Sequence, residues 1–204
     1  MKKYPVYLFD FDGTIIDSIS SLIYIFRNAY RASGMDIEDN EVYFLMRHPL
    51  IEGYRNHFHT EEGFPTFLAE IYKYLDDDHA LKLTKIYDDT LPSLTALKSR
   101  GAILGIVTSN KKGHVKDVLN FLNVDESLFS IIVGNEETKL HKPNADPLLK
   151  GIELLGVSKN DVVYVGDALD DVQCGVNAGV DTILIDRLDE YGEKADIKTL
   201  LDLL

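Results

Sequence analysis

The sequence predicts an α/β fold: a parallel sheet covered by helices on both faces, interrupted near its start by an inserted α-helical domain. Three observations point there. Short apolar runs without polar alternation, at residues 6–9, 102–107, 129–133, 162–165 and 182–185, are separated by segments whose apolar residues recur at helical spacing. Strands buried on both faces read that way. Between residues 17 and 88 no such run occurs, only helical stretches rich in Tyr, Phe and Leu. Finally, polar motifs directly follow the apolar runs, which gathers several loops at one sheet edge, where α/β folds bind ligands.

The elements follow in order. Pro5 opens the first strand, where a missing N–H is tolerated. Ser18 is a candidate cap for a helix carrying Ile19, Leu22, Ile23, Phe26 and Tyr30, with Gly34 as its stop. Breaks are expected at His48-Pro49, at Gly53 and at Gly63-Phe64-Pro65, and Asp76-Asp77-Asp78 marks a turn or helix start. A helix from Ser93 to Arg100 stops at Gly101 before the second strand. Val115, Val118, Leu119 and Leu122 share a helix face, as do Leu148, Leu149, Ile152 and Leu155 in a helix ending near Gly156. A short helix covers about 170–178, and Asp196 is read as the cap of a last helix that turns Ile197, Leu200, Leu201 and Leu204 inward. The expected domains are a core of residues 1–16 and 89–204 and a helical domain of 17–88.

The 204 residues, 45% of them hydrophobic, suffice for one substantial core or a core with a satellite domain. The net charge of −13 argues against a broad nucleic-acid-binding face. One cysteine, Cys174, excludes an intrachain disulfide and fits a reducing, cytoplasmic setting. The apolar stretch after Met1-Lys2-Lys3 stops at Asp10, too short for a signal core. No run reaches the roughly 18 apolar residues of a membrane span.

Four segments carry the chemistry: Asp10-Phe11-Asp12-Gly13-Thr14, Thr108-Ser109-Asn110, Lys142-Pro143 and Gly166-Asp167-Ala168-Leu169-Asp170-Asp171. Asp10 and Asp12 lie too close to be charged together without a cation or a shared proton. Mg²⁺ answers this economically, because it takes oxygen ligands and keeps waters for substrate phosphate. A hairpin Asp-Gly turn is the alternative, but no matching antiparallel strand follows. Asp167 and Asp171 are four residues apart at a helix start and can share a face. Thr108, Ser109 and Asn110 offer hydroxyls and N–H groups to phosphate oxygens, although such residues are also ordinary helix caps. Lys142 gains interest from its place before the helix that follows the third strand.

Taken jointly and in this order, the four segments resemble the motifs of the haloacid dehalogenase superfamily, specifically its phosphatase branch, similar to phosphoglycolate phosphatases and pyrophosphatases. The resemblance spans the chain and implies a Rossmann-like core with the Ser18–Lys85 insertion as a type-one helical cap. It implies that Asp10 attacks phosphorus and becomes an aspartyl-phosphate, while Asp12 protonates the leaving oxygen and then activates water. It further implies that Asp10, the Asp12 carbonyl, Asp167 and Asp171 hold Mg²⁺, and that Thr108, Ser109 and Lys142 stabilise the transferring phosphoryl group, with Asn110 on the substrate side. The partner would be a small phosphorylated metabolite rather than nucleic acid or membrane, and the protein a monomer or homodimer. Asp12 argues against a dehalogenase, since a halide needs no proton. A phosphomutase of the β-phosphoglucomutase type and a pyrophosphatase remain open, and a phospho-receiver module is disfavoured by the early acidic pair and the insertion.

Substrate choice is expected to lie in the cap. In the Met46–Leu50 segment, where relatives carry a small residue beside the Pro, this chain has Arg47 and His48. These are the candidates for contacting an anionic or polar part of the substrate. His57 and His59 form a His-x-His pair without an evident third metal ligand.

Overall fold

The computed structural model describes residues 2–45, 50–75 and 77–204, with the backbone alone at Tyr43 and Phe44. Two compact units make up the chain: Met1–Asp17 with Ile86–Leu204, and Ser18–Lys85.

The first unit is built on a five-stranded sheet of β1 (Val6–Phe9), β4 (Ile103–Val107), β5 (Ile131–Val133), β6 (Val162–Gly166) and β7 (Asp181–Leu184), in the order β5-β4-β1-β6-β7. All of its pairings are parallel. Two further short strands, β2 (Ile16–Asp17) and β3 (Lys85–Ile86), pair separately. They are too brief for an apolar run to announce them. The central strand β1 is buried throughout, which is why its sequence is apolar at every position rather than at alternate ones. Val6 and Leu8 pack in one cluster with Leu148, Ile152, Cys174 and Ala178, residues of the helices α8 (Asp146–Leu155) and α9 (Leu169–Ala178). Tyr7 and Phe9 alternate to the opposite face and are equally buried. The helices α6 (Thr90–Ser99) and α7 (Lys112–Phe121) complete the layers.

Register decides the placement of the motifs. Phe9 lies opposite Ile106 on one side and Val165 on the other. The strands β1, β4 and β6 therefore end level with one another, and Asp10, Thr108 and Asp167 emerge at the same carboxyl edge. The strand order reverses at β1, the arrangement that leaves an open crevice between diverging loops.

The second unit consists of α1 (Ile19–Ala32), α2 (Asp39–Leu45), α3 (Leu50–Phe58), α4 (Phe64–Leu75) and α5 (Asp78–Leu83). Its core is aromatic: Tyr30, Tyr54, Phe58 and Phe67 meet with ring centroids 4.4 to 5.6 Å apart. The Tyr-rich composition thus serves packing. No helix among the described residues is long and apolar enough to cross a membrane.

Several local expectations are corrected. Ser18 precedes α1 but makes no side-chain cap bond. Gly53 lies buried inside α3 instead of breaking it, packed close to Leu45, whose Cδ2 would stand 2.5 Å from an added Cβ. The acidic triplet, by contrast, does mark a helix start: Asp77 caps α5 by accepting from the His79 N–H at 2.6 Å. Asp196 starts no helix. Its carboxylate accepts from the Leu184 N–H at 2.8 Å, Ile197 bridges to Ile185, and the terminal turn is a 3-10 helix, Leu200–Leu203, capped by Thr199. Leu201 is consequently exposed rather than inward-facing.

Gly105 in β4 tests the tightness of the sheet–helix layer. A Cβ would lie 2.7 Å from Ile131 Cγ1 and 2.8 Å from Leu8 Cδ2. Gly105→Ala is expected to lower unfolding free energy by about 1–3 kcal/mol through overpacking. Urea denaturation followed by circular dichroism checks this; an unchanged midpoint would show that the layer yields.

Candidate active site

Asp10 extends β1 by one residue, its N–H donating to the Val165 carbonyl at 2.8 Å. The chain then turns sharply. The Ile15 and Ile16 N–H groups donate to the Phe11 carbonyl at 2.9 and 3.1 Å, and the Gly13 N–H donates to the Ile16 carbonyl at 2.8 Å. Gly13 has φ of +71°, and a Cβ on it would collide with the Asp167 carboxylate. Both the backbone conformation and the close approach therefore demand glycine. Phe11 is wholly buried beneath the turn.

Lys142 lies at the centre of the charge. Its ammonium donates to Asp10 Oδ1 at 2.6 Å, to Asp171 Oδ1 at 2.7 Å and to the Tyr164 hydroxyl at 3.2 Å. The three charged side chains are 9%, 9% and 2% exposed. The Lys142-Pro143 peptide is cis. Asp171 is fixed from its other side by the Ala168 N–H, which donates to Oδ2 at 3.0 Å. The Tyr164 hydroxyl lies 2.9 Å from the Val107 carbonyl and 3.0 Å from Asp171 Oδ1. It has one proton, so it donates to one of these at a time while accepting from Lys142.

Oxygens of Asp10, Asp167 and Asp171 lie within 4.8 Å of one another. Thr14 steadies Asp167, its hydroxyl standing 3.4 Å from Oδ1. Burial drives the Asp10 carboxyl well above the ordinary carboxylate range; Lys142 opposes this, while Asp171 and Asp167 add to it. The Lys142 ammonium is disfavoured by burial, but its two carboxylate neighbours hold it well above the ordinary lysine value. Three carboxylates thus face one ammonium. The deficit of positive charge and the all-oxygen donor set fit a hard divalent cation. These are the residues that could hold one.

A second cluster adjoins the first. Thr108 continues β4, its N–H donating to the Val133 carbonyl at 3.0 Å. The Thr108 hydroxyl accepts from the Asn110 N–H at 3.2 Å, which leaves its own proton free to donate. The Asn110 side-chain amide donates to Asp12 Oδ2. Asn135 braces the loop, its N–H bonding the Asn110 carbonyl at 2.9 Å and its amide the Ser109 carbonyl at 2.8 Å. The Asp12 side chain therefore stands apart from the acidic trio, held by a neutral donor.

The structure brings together Asp10, Lys142, Asp167 and Asp171, and separately Asp12, Thr108 and Asn110. Ser109 is exposed in the same loop. Arg47 and His48 lie outside the described residues. His57 is engaged within its own helix, Nδ1 standing 3.0 Å from the Gly53 carbonyl, and joins no metal-binding group among the described residues. Tyr164 and Asn135 were not anticipated. Tyr164 left one signal, a hydroxyl within an otherwise aliphatic buried run, which requires a partner.

Comparison with known proteins agrees with this geometry. The family model described as haloacid dehalogenase-like hydrolase matches residues 7–185. A phosphoglycolate phosphatase of Aquifex aeolicus is 29% identical over 184 residues, 88% of this chain and 83% of that protein. A pyrophosphatase, PpaX, of Halalkalibacterium halodurans is 28% identical over 208 residues, 97% of this chain and 94% of that protein. A crystal structure from Bacteroides fragilis, described as a haloacid dehalogenase-like hydrolase, superposes with a TM-score of 0.89 at 29% identity and covers 99% of this chain and 100% of that one. The chain belongs to the haloacid dehalogenase-like hydrolases and is an enzyme.

Removal of the ammonium tests the electrostatics. Lys142→Met leaves buried carboxylates unpaired and is expected to lower stability at neutral pH by about 3–5 kcal/mol. Chemical denaturation measures this. A loss below about 1 kcal/mol, the scale of a surface ion pair, would show that Lys142 does not neutralise the cluster.

Proposed function

We propose that this enzyme is a Mg²⁺-dependent phosphatase that hydrolyses a small phosphorylated metabolite through an aspartyl-phosphate on Asp10. The observation that carries the reading is the buried Asp10 carboxylate, held by the Lys142 ammonium at 2.6 Å and flanked by Asp167 and Asp171 within 4.8 Å. With Oδ1 held by Lys142, Oδ2 is the oxygen available to attack phosphorus. The bond to the leaving oxygen breaks as the bond to Asp10 forms. Asp12, aimed by Asn110, gives its proton to that leaving oxygen. The resulting Asp12 carboxylate then takes a proton from water, which attacks the aspartyl-phosphate, releases phosphate and restores Asp10. The Thr108 hydroxyl, the Ser109 N–H and Lys142 offer donors to the equatorial oxygens in transfer. Mg²⁺, held by Asp10, Asp167, Asp171 and the Asp12 carbonyl, would supply positive charge to the acids and to the phosphoryl group.

The names of the relatives support a phosphate ester or anhydride as substrate. The Ser18–Lys85 unit, inserted after the first motif, is proposed as the cap, with Arg47 and His48 as its specificity residues. A cytoplasmic setting is supported by the single, buried cysteine.

Phosphate release from a panel of sugar phosphates, phosphoglycolate, nucleotides and pyrophosphate, with and without Mg²⁺, tests the reading. Mg²⁺-dependent release is expected from at least one compound. Asp10→Asn is expected to reduce that rate on the order of 10³-fold or more, as for other catalytic nucleophiles. Sustained Mg²⁺-dependent turnover by Asp10→Asn would refute the assignment.

A further inference from the structure

A second buried charge cluster lies behind the Asp12–Thr14 turn. Arg187 follows β7 and is almost fully enclosed, with 7% of its side chain exposed against 12% for Asp89. Its Nη1 donates to both Asp89 oxygens at 2.7 and 2.8 Å, and its Nη2 donates to the Thr14 carbonyl at 2.8 Å. The guanidinium stacks over Tyr87, its Cζ 4.0 Å from the ring centroid. Asp89 also accepts from the Thr199 hydroxyl and the Leu200 N–H, both at 2.6 Å. The Thr90 hydroxyl donates to the neighbouring Ile15 carbonyl at 2.9 Å. The Arg187 backbone is itself anchored, because Asp186 accepts from the Glu190, Tyr191 and Gly192 N–H groups at 2.9, 2.8 and 3.2 Å.

This arrangement exceeds what the fold requires. Burying an ion pair stabilises little beyond an apolar pair of similar volume. What the guanidinium supplies that an apolar residue cannot is a rigid fork, with one arm on a fixed carboxylate and the other on a loop carbonyl. That carbonyl lies two residues past Asp12 and one past Gly13, whose left-handed conformation gives the turn its direction. A small shift of such a turn misaims the acid it carries, and small misplacements of reacting groups lower rates severely.

We propose that Arg187 is a positioning residue for proton transfer: by clamping the Thr14 carbonyl against Asp89, it fixes the Asp12–Thr14 turn and the aim of Asp12. The inference rests on the reading of Asp12 as the proton donor. Arg187→Lys keeps a charge opposite Asp89 but cannot supply two parallel donors, so it folds while releasing Thr14. Thr199→Val weakens the same cluster without touching the turn and is the control for stability loss.

The test compares kcat/KM, which reports phosphoryl transfer to Asp10, for two leaving groups. The alkoxide of an alkyl phosphate needs the proton from Asp12 to leave, whereas the p-nitrophenolate of p-nitrophenyl phosphate leaves largely without it. In Arg187→Lys, kcat/KM for the best alkyl substrate of the panel is expected to fall about tenfold or more, a fraction of the range typical of general acids. For p-nitrophenyl phosphate the expected fall is under about threefold, and Thr199→Val should leave both values near wild type. Hydrogen exchange of peptides covering residues 11–16 should accelerate in Arg187→Lys and not in Thr199→Val. Equal losses on both substrates, or unchanged exchange at 11–16, overturns the proposal. If the wild-type protein hydrolyses no phosphoester, the functional reading fails, and the exchange measurement alone decides the clamp.

Discussion

The Lys142 ammonium, held between Asp10 and Asp171 at 2.6 and 2.7 Å, is the interaction on which the site depends. Carboxylates brought together away from water raise one another's proton affinity until one is neutral or a cation intervenes. A neutral Asp10 would be a poor nucleophile. Lys142 supplies one positive charge from within the protein, and Tyr164 holds that ammonium in place while reaching the Val107 carbonyl or Asp171. The remaining deficit makes the site receptive to a divalent cation and to a doubly charged phosphate that arrives with one.

The sheet provides the precision this balance requires. Because β1, β4 and β6 end in register, residues separated by more than a hundred positions in the chain converge without long side-chain reach. Tyr164 and Asp171 approach Asp10 from β6 and α9, which share one packed core with β1, and Lys142 approaches from the loop before α8. Behind the turn, Arg187 and Thr90 hold the successive Thr14 and Ile15 carbonyls, while the Asp10 N–H is held by the Val165 carbonyl, so the loop carrying Asp12 is fixed on both sides. The Asp12–Asn110 contact then sets the Asp12 carboxyl, the proposed proton donor, beside the acidic trio but outside it.

Much of this was legible in the sequence, for identifiable reasons. Strands buried on both faces announce themselves as continuous apolar runs, and glycine stops mark the helix ends at Gly34, Gly101 and Gly156. The i, i+4 spacing of Asp167 and Asp171 at a helix start is a local pattern and was readable as such. The short strands β2 and β3 were not, because two residues carry no periodicity. Asp196 imitates a cap by its place before an apolar segment, whereas the bridge from Ile197 to Ile185 decides the conformation. Arg187, Asp89 and Tyr164 act across separations of 7 to 173 residues, and only the first motif's turn and the sheet register bring them to bear. No spacing in the chain encodes such contacts.

The central claim is a double displacement at phosphorus through Asp10. The stereochemical outcome tests it most directly, using a substrate whose transferred phosphoryl group is made chiral with oxygen isotopes and sulfur and hydrolysed in isotopically labelled water. Two successive in-line displacements, first by Asp10 and then by water, predict retention of configuration. Inversion would mean that water attacks the substrate directly, and would contradict both a nucleophilic Asp10 and the part played by the ammonium that holds it.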